Sequence, residues 1–410
     1  MIERAALGQV DGTIRIGARM TERNLLVVQG GGPTQVLNTT LAAIVEEAQT
    51  ASGFARIYGA KSGIKGLLDG GEMDLNRLSA ADLKLLRASP GAALGSSRAK
   101  PSEEDLSQLV DLLRRRQVRD LLFMGGNGTM RGAETVSRFC RESGYDVQVI
   151  GVPKTVDNDL AATDRCPGYA SAARYIAQST RDLGTDVRSL PQPVSILETM
   201  GRSVGWLAAA AAAGKRDELD APHLVFLPER PFELSAFLAH LDGVVARQGW
   251  AIVVVAEGIR DANGQYVFQV NDPAQSDPLQ RPITGGVAQF LAEAVARHLK
   301  IRCRSEKPGL LGRASMLHAS TQDIEDADLV GRASVRGLLA AETERMVSLL
   351  PLEARAGAGY EFVPLDRVAE VERPIPPAWI VEGAIPVNER FFQYLAPLAG
   401  TLNPYYVPLN

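Results

Sequence analysis

Two carboxylates separated by one residue are the feature of this chain that most directly suggests chemistry. Asp157 and Asp159 lie in the stretch Pro-Lys-Thr-Val-Asp-Asn-Asp at 153–159, directly after the apolar, strand-like run Val147–Val152. Side chains at this spacing can project from the end of a strand into one cleft, where one carboxylate accepts a proton and the other binds a divalent metal. Phosphoryl transfer needs that division of labour. Because Asp-Asn-Asp also forms turns, the stretch by itself leaves a turn and a catalytic site open.

Two glycine-rich loops follow other apolar runs. Gly30–Gly32 comes after Leu25–Gln29, and Gly125–Thr129 (Gly-Gly-Asn-Gly-Thr) comes after a second such run. Glycine between a strand and a helix lets backbone N–H groups approach an anionic oxygen. In the second loop, Asn127 could hold a phosphate oxygen or a metal-bound water, although a simple helix start capped by Thr129 fits as well. Two such loops on successive strand ends predict an anion-binding cleft.

Three charged side chains follow further candidate segments and could reach the same cleft. Arg98 lies in Leu-Gly-Ser-Ser-Arg at 94–98, and Arg202 ends Glu-Thr-Met-Gly-Arg at 198–202. A guanidinium can bind phosphate oxygens with two hydrogen bonds and neutralise charge on a transferred group. Glu229 follows a proline at the end of the next strand-like run and suits a sugar hydroxyl. Taken alone, each of the three is also explained as a surface or packing residue.

Apolar strand-like runs alternate with helical patterns, which predicts an α/β fold with mainly parallel sheets. The candidate strands are Leu25–Gln29, Leu121–Met124, Val147–Val152, Val194–Leu197, Leu224–Leu227 and Ile252–Ala256, and the candidate helices include Glu103–Arg115, Gly132–Ser143, Gly168–Leu183 and Ser203–Gly214. Glycine or proline bounds the strands where they lead into helices, and open α/β sheets bind ligands at such ends. A chain of 410 residues is expected to form two lobes rather than one.

The composition is ordinary for a globular protein and narrows the classes of function. Charged residues make up 22% and apolar residues 45% of the chain, and a net charge of −4 argues against binding to nucleic acid. The three cysteines and four histidines are scattered, which argues against a zinc site and fits a reduced, cytoplasmic setting. No apolar run approaches the length of a membrane span. Residues 1–24 lack the apolar stretch of a signal peptide, and we interpret them as an N-terminal extension.

Taken together and in their order along the chain, these motifs resemble the phosphofructokinase family. The resemblance rests on Gln-Gly-Gly-Gly at 29–32, Leu-Gly-Ser-Ser-Arg at 94–98, Gly-Gly-Asn-Gly-Thr at 125–129, Pro-Lys-Thr-Val-Asp-Asn-Asp at 153–159, Glu-Thr-Met-Gly-Arg at 198–202, Pro-Glu at 228–229 and Val-Ala-Glu-Gly at 255–258. It extends over about residues 24–400. NAD kinase, which has Gly-Gly-Asp-Gly-Thr, lacks the Thr-Val-Asp-Asn-Asp and Met-Gly-Arg motifs and fits less well.

The resemblance implies a fold, an activity and a set of site residues. Two Rossmann-like lobes with mainly parallel sheets would hold a Mg²⁺-dependent active site between them, in a homodimer or homotetramer that binds a small sugar or sugar phosphate. The implied residues are Asp157 as the base; Thr155 and Arg202 on the transferred group; Gly31, Arg98, Asn127, Gly128, Thr129 and Lys154 for the donor; Asn127 and Asp159 for the metal; and Met200, Gly201, Glu229, Lys307 and Arg313, together with Thr155, Asp157 and Arg202, for the sugar.

The chain is expected to divide into segments that match this implied fold. Residues 25–167 would form a lobe that binds the phosphoryl donor, and residues 168–318 a lobe that binds the acceptor. Residues 319–362 would form a helical return segment. The proline-rich residues 363–410 would form a C-terminal arm that extends over the body or over a second subunit.

The sequence leaves the phosphoryl donor open between ATP and pyrophosphate. Pyrophosphate-dependent members of the family typically have aspartate where this chain has Gly128, and Gly132 is also typical of nucleotide-dependent members. Lys154, Asn127, the stretch 163–168 and the proline-rich tail resemble a pyrophosphate-dependent subgroup. Because glycine leaves space for the α-phosphate and ribose, whereas aspartate adds bulk and repulsive charge, we expect ATP and keep pyrophosphate as the alternative.

The expected acceptor is a sugar phosphate, by default fructose 6-phosphate, but the motifs that would hold its 6-phosphate are altered. Pro193 takes the place of an arginine that family members often supply to a neighbouring subunit, and Met316 takes the place of the arginine in Gly-x-x-Gln-Arg. Losing a paired charge at such a site costs about 2–5 kcal/mol of binding. Lys307, Arg313 and Arg304 could rebuild it; otherwise the acceptor is a different sugar or a polyol. A non-catalytic sensor of phosphorylated metabolites is a further alternative, which the intact transfer motifs argue against.

Overall fold

The computed structural model describes residues 23–51, 53–189, 193–269, 285–354, 357–369 and 371–404. The strands in these ranges are β1 (Arg23–Gln29), β2 (Phe54–Ala60), β3 (Glu72–Asp74), β4 (Val118–Gly125), β5 (Gln148–Pro153), β6 (Val194–Thr199), β7 (Leu224–Phe226), β8 (Ala251–Ala256), β9 (Cys303–Glu306), β10 (Arg345–Leu349) and β11 (Tyr360–Pro364). The helices are α1 (Leu37–Thr50), α2 (Gly63–Leu68), α3 (Ala80–Arg87), α4 (Glu103–Arg115), α5 (Asn127–Glu142), α6 (Tyr169–Arg188), α7 (Trp206–Ala210), α8 (Leu234–Gln248), α9 (Val287–His298), α10 (Thr321–Leu339) and α11 (Glu389–Ala399). The expected extension at residues 1–24 lies outside the described residues up to residue 22, as do residues 405–410 of the arm.

The strands form two sheets whose central strands are parallel. The first sheet has the order β11-β10-β5-β4-β1-β2-β3, in which only the edge strands β3 and β11 pair antiparallel. The second sheet has the order β7-β8-β6-β9, and all of its strands are parallel. Parallel strands are covered by helices on both faces and therefore read as continuous apolar runs. β8, with the sequence Ala-Ile-Val-Val-Val-Ala, is buried along its whole length for this reason.

The helices bury one apolar face against these sheets. In α4, Ser102 and Asp105 form a capping box, and Leu106, Leu109 and Leu113 face the core of the first sheet. In α6, Tyr169 packs edge to face against Trp206 in the core of the second sheet. No helix in the described ranges combines the length and the apolar composition that crossing a bilayer requires.

The predicted α/β fold with mainly parallel sheets is confirmed, and each of the six predicted strands is present. Helix α5 differs from its prediction, because it begins at Asn127 after Gly126 rather than at Gly132. Thr129 therefore lies inside the first turn and is not the N-cap residue. The helix predicted at Ser203–Gly214 is reduced to the short α7, followed by turns.

The predicted return segment and the predicted C-terminal arm contain more secondary structure than the sequence analysis expects. The predicted return segment contains α10 and also β10 and most of β11, which join the first sheet next to β5. The C-terminal arm is extended only in part, since it contains α11, whose Phe391 and Leu395 lie in the core of the second sheet beside Trp206. The arm thus packs on the body of its own chain, and it reaches both sheets.

Candidate active site

The glycine loop after β1 closes on a buried lysine. Gly31 has a φ of +75°, a conformation that side chains rarely adopt, and a Cβ atom at this position would lie 3.2 Å from Lys154 Nζ. Lys154, which directly follows β5, is only 4% exposed and donates a hydrogen bond from Nζ to the carbonyl oxygen of Gly32 at 2.5 Å. Burial lowers the pKa of Lys154 to about 8, with the charge of Arg313 acting in the same direction and Asp157 opposing it.

Two arginines approach the same loop from different parts of the chain. A Cβ atom on Gly32 would lie 2.4 Å from Arg313 Nη1 and 3.8 Å from Arg98 Nη2. Burial lowers the pKa of Arg313, and the nearby positive charge of Arg98 lowers it further. Three cationic groups, with Lys154, therefore surround the backbone of this loop, as an anion-binding site requires.

Arg313, which the sequence predicts for the sugar side of the site, lies between the glycine loop and the segment that contains Met200. Its guanidinium lies close to Gly32, and the same residue lines a small cleft with Met200 and Glu198. The turn that carries it is held by Gln35, whose Nε2 donates to the carbonyl oxygen of Gly312 at 3.1 Å. Arg313 can therefore reach both the donor loop and the expected sugar residues, and its part in a rebuilt 6-phosphate site stays a prediction.

The two carboxylates come from a turn whose middle residue is structural. Asn158 is completely buried with a φ of +57°, which asparagine tolerates better than most residues. Its Oδ1 accepts from the N–H of Cys166 at 3.0 Å, and its Nδ2 donates to the hydroxyl of Tyr394 at 2.9 Å. On the N-terminal side of Asn158, Thr155 Oγ1 accepts a hydrogen bond from the N–H of Asp157 at 3.1 Å. A turn is therefore present in this stretch, and it carries the two candidate carboxylates.

Burial and neighbouring charges make Asp157 a weak acid. Loss of solvent, followed by the negative charges of Asp159 and Glu257, raises the pKa of Asp157 to about 7, while Lys154 and Arg202 oppose the rise. A carboxylate whose pKa lies near the working pH can both accept and release a proton efficiently. Glu257 lies in the Val-Ala-Glu-Gly motif after β8, and burial likewise raises its pKa.

Side-chain oxygen atoms of Asn127, Asp157 and Asp159 are suitable ligands for a hard divalent cation. Asn127 Oδ1, Asp157 Oδ1 and Asp159 Oδ1 are buried side-chain oxygens that accept no hydrogen bond from the protein, while Asp159 Oδ2 accepts from Asn127 Nδ2 at 3.1 Å. Mg²⁺ takes oxygen ligands and is commonly held by one or two carboxylates together with substrate phosphates. Among the described residues, no group of three or more His, Cys, Asp or Glu side chains is arranged to hold a metal by itself. The donor set therefore fits Mg²⁺ shared with a phosphorylated substrate.

The expected sugar-binding residues follow β6 and meet the end of β8. Gly201 has a φ of +128° and accepts a hydrogen bond from the N–H of Gly258 at 3.1 Å. A Cβ atom on Gly258 would lie only 1.8 Å from the carbonyl oxygen of Arg202, so the two backbones can approach only because this residue is glycine. Met200 lines a small cleft with Val156, Ile176, Leu207 and Arg313. The close approach of Gly258 to the backbone of Arg202 holds Arg202 near Asp157 and Glu257, whose raised pKa values its positive charge opposes.

Two glutamates of this region are held by backbone N–H groups. Glu229 Oε1 accepts from Gly205 at 2.9 Å and from Ile375 at 3.3 Å, while Oε2 is buried without a hydrogen bond from the protein. Burial raises the pKa of Glu229. Glu198 is buried and accepts from two N–H groups at the start of α9. It also forms an ion pair with Lys307 at 3.0 Å.

The site includes residues that the motifs did not indicate. Arg373 and Tyr394 of the C-terminal arm hydrogen-bond the turn that carries the two carboxylates. Gln35 supports the turn of Arg313. These side chains come from segments far from the motifs in sequence, and a lone Arg-Pro pair at Arg373 is no local signal of a site. Glu257 belongs to the Val-Ala-Glu-Gly motif, but the sequence did not indicate its effect on Asp157, whose pKa its negative charge raises.

Comparisons with known proteins agree with this geometry. The family model described as Phosphofructokinase matches residues 24–335. A pyrophosphate--fructose 6-phosphate 1-phosphotransferase of Xanthomonas campestris pv. campestris (strain B100) is 39% identical over 92% of each chain, and a sulfofructose kinase of Alkalicoccus urumqiensis is 34% identical over 86% of this chain and 91% of its own. The crystal structure of a pyrophosphate-dependent phosphofructokinase from Nitrosospira multiformis superposes with a TM-score of 0.81 at 32% identity, covering 94% of this chain and 95% of its own. The chain belongs to the phosphofructokinase family and is a phosphotransferase of that type, with an alcohol group as its acceptor.

Proposed function

We propose that the protein transfers a phosphoryl group from pyrophosphate to the 1-hydroxyl of fructose 6-phosphate in a Mg²⁺-dependent reaction. The observation that carries the choice of donor is the convergence of Lys154, Arg98 and Arg313 on the loop Gly31–Gly32. Pyrophosphate concentrates its negative charge on two phosphates, and three cations around one short loop match such a compact anion. Two of the three relatives described above are named for pyrophosphate, which favours it over the ATP expected from Gly128.

In the proposed reaction, the side chains divide the tasks of phosphoryl transfer. Asp157 accepts the proton as the acceptor hydroxyl oxygen bonds to phosphorus and the bond to the leaving phosphate breaks. Lys154, Arg98 and Arg313 hold the phosphate oxygens of the donor. Arg202 neutralises charge on the transferred group, with Thr155 beside it. Asn127 and Asp159 would hold Mg²⁺, which would supply further charge neutralisation on the phosphates. Met200, Gly201 and Glu229 orient the sugar, and Gly31, Gly128 and Thr129 shape the donor site.

ATP is the second candidate donor, and one observation favours it. A Cβ atom on Gly128 would have no other atom within 4 Å, so there is open space where pyrophosphate-dependent members of the family carry aspartate. Replacing this residue therefore distinguishes the donors: Gly128→Asp should abolish use of ATP by bulk and charge repulsion, and should leave use of pyrophosphate intact.

The test is a turnover assay that crosses both donors with several acceptors in the presence of Mg²⁺. The acceptors are fructose 6-phosphate, sedoheptulose 7-phosphate, sulfofructose and unphosphorylated sugars. The proposal expects efficient turnover of pyrophosphate with fructose 6-phosphate in the wild type and in Gly128→Asp. Turnover with ATP alone, lost in Gly128→Asp, would overturn the donor, and turnover with another acceptor alone would overturn the substrate. Light scattering of the same preparation tests the proposed homodimer or homotetramer.

A further inference from the structure

A short segment of the C-terminal arm, Glu372–Ile375, links the carboxylate turn to the expected sugar site. We propose that this segment, through Arg373, positions Asp157 and Asp159 for transfer, and that Arg373 is a positioning residue of the active site. The inference rests on the proposed function for its kinetic consequences. Its structural content, the anchoring of the turn, can be tested without turnover.

The guanidinium of Arg373 binds main-chain carbonyl groups of the segment that follows Asp157. Its Nε donates to the carbonyl oxygen of Asn158 at 3.2 Å, and its Nη1 donates to that of Thr163 at 2.8 Å and also to that of Asp164. The segment contains two residues with left-handed backbone, Asn158 at φ +57° and Ala162 at φ +55°, so its carbonyl groups do not fall into a regular ladder. A planar group with five donors can satisfy several such carbonyls at once, whereas a lysine ammonium cannot span them.

The backbone of the same residue is bonded to the metal-binding half of the turn. The N–H of Arg373 donates to the carbonyl oxygen of Asp159 at 2.8 Å, and Glu372 forms an isolated antiparallel bridge with Leu160. The arm therefore adds a short antiparallel strand edge to the turn. Because Asp159 is held through its own carbonyl group, a shift of the arm would move its carboxylate as well.

The other side of the segment is bonded to the sugar side of the cleft. Trp206 Nε1 donates to the carbonyl oxygen of Arg373 at 3.0 Å, and the guanidinium lies 4.6 Å from the centre of the Trp206 ring. Two residues further, the N–H of Ile375 donates to Glu229 Oε1. The segment thus sets the position of the carboxylates relative to Glu229, across the space where donor and acceptor must meet.

Tyr394 of α11 completes this arrangement. Its hydroxyl accepts from Asn158 Nδ2 at 2.9 Å and donates to the carbonyl oxygen of Asp164 at 2.9 Å. Its ring packs against Trp206 and Trp379, so removal of the hydroxyl alone leaves that packing in place. Tyr394→Phe therefore loosens the turn with little risk to folding, which Arg373→Met does not guarantee.

The experiment compares Arg373→Met, Arg373→Lys and Tyr394→Phe with a matched control, Arg174→Gln. Arg174 also donates to a carbonyl group of the arm, that of Ala399 at 2.8 Å, which lies outside the turn. We expect kcat of Arg373→Met to fall about 100-fold, with the acceptor KM changed less than about threefold, because misplacement by about 1 Å costs about this much. The kcat of Tyr394→Phe and of Arg373→Lys should fall less than that of Arg373→Met, and Arg174→Gln should keep the wild-type kcat.

Hydrogen exchange of the Mg²⁺-free protein supplies the second readout. The amides of residues 154–166 should exchange faster in Arg373→Met and Tyr394→Phe and at the wild-type rate in Arg174→Gln. Unchanged exchange in the folded Tyr394→Phe and Arg373→Met variants would overturn the inference, as would an equal loss of kcat in Arg174→Gln. If the wild type turns over no donor, the proposed function fails, whereas the exchange result still decides whether Arg373 anchors the turn.

Discussion

Single residues of the site owe their chemistry mainly to burial. Loss of solvent raises the pKa of Asp157 to about 7 and lowers that of Lys154 to about 8, so both groups are shifted toward their neutral forms. Each group also opposes the shift of the other, because their charges are opposite. Both therefore change protonation close to neutral pH, which suits one as a base and makes the other sensitive to pH.

Asp157→Asn tests the base. We expect turnover to fall by about 10²–10⁴-fold, because the amide accepts no proton. The fold should persist, since burial already favours a neutral group at this position. Chemical denaturation should show no decrease in the free energy of unfolding at pH 8, and Asp366→Asn on the exposed surface serves as the activity control. Turnover within a factor of a few of the wild type would reject Asp157 as the base.

Lys154 predicts a pH dependence of donor use. Its positive charge is present below pH 8 and is lost above it, so kcat/KM for pyrophosphate should fall about tenfold per pH unit on the alkaline side. Lys154→Met should lower kcat/KM about 10- to 100-fold near pH 7, by loss of a charged hydrogen bond, and should remove this alkaline limb. An alkaline limb that survives in Lys154→Met would assign it to another group.

At the scale of elements, the site is made where strand ends meet. Loops after β1, β4 and β5 bring together the glycine loop, Asn127 and the two carboxylates, whereas loops after β6 and β8 supply Arg202 and Glu257. Parallel strands place these ends on the same edge of their sheet. The loop after β8 contacts the loop after β6 at Gly258, where the carbonyl oxygen of Arg202 leaves no room for a side chain.

Gly258→Ala tests this contact. The added Cβ atom would lie 1.8 Å from the carbonyl oxygen of Arg202, so the loop must shift and carry Arg202 away from Asp157. We expect kcat to fall about 100-fold, as for other small displacements of catalytic groups. Gly243→Ala in α8 is the matched control, because its Cβ atom would meet only the end of the flexible Arg247 side chain. Similar kinetics for the two variants would contradict the assigned role of the contact.

At the scale of the whole molecule, buried ion pairs join segments that are distant in sequence. Arg165 lies seven residues after Asn158, the middle residue of the turn that carries the two carboxylates. It donates from Nε and Nη2 to both oxygens of Asp326 in α10 at 2.6 and 2.7 Å. Its Nη1 donates to the carbonyl oxygen of Leu350, just after β10. Asp323 of the same helix accepts from the N–H of Gly168, directly before α6, at 2.7 Å. The return segment therefore ties the carboxylate turn to helices on both sheets.

Asp326→Asn tests the energetic weight of this tie. Arg165 is 2% exposed, and without Asp326 its remaining ionised partner is the partly exposed Asp164 at 3.3 Å. Losing the two short hydrogen bonds to an ionised Asp326 should therefore lower the free energy of unfolding by about 3 kcal/mol. The exposed ion pair of Glu342 with Arg345 provides the control, and Glu342→Gln should change stability by about 0–1 kcal/mol. Equal effects in urea denaturation would show that burial does not set the strength of the pair.

Much of the fold and part of the site were predictable from sequence. The strands β1, β4, β5, β6 and β8 are apolar runs bounded by glycine or proline, and the loops after them contain most motifs of the site. Arg98 lies instead between α3 and α4, and Glu229 follows β7. By contrast, β9, with the sequence Cys-Arg-Ser-Glu, has no hydrophobic periodicity, because it pairs with β6 at the edge of a sheet. The position of Arg313, close to both Gly32 and Met200, was not predictable from sequence, since the reach of a long side chain depends on the turn that carries it.

The sequence by itself determined the family, the parallel α/β architecture and the chemical types of the transfer residues, because these depend on local patterns of apolar runs, glycines and charged side chains. Only the tertiary structure decided which cations meet the donor loop, how far Asp157 is shifted toward neutral, and that Arg373 and Tyr394 support the carboxylate turn. Burial and contacts between residues more than 200 positions apart produce these properties, and no local pattern encodes them.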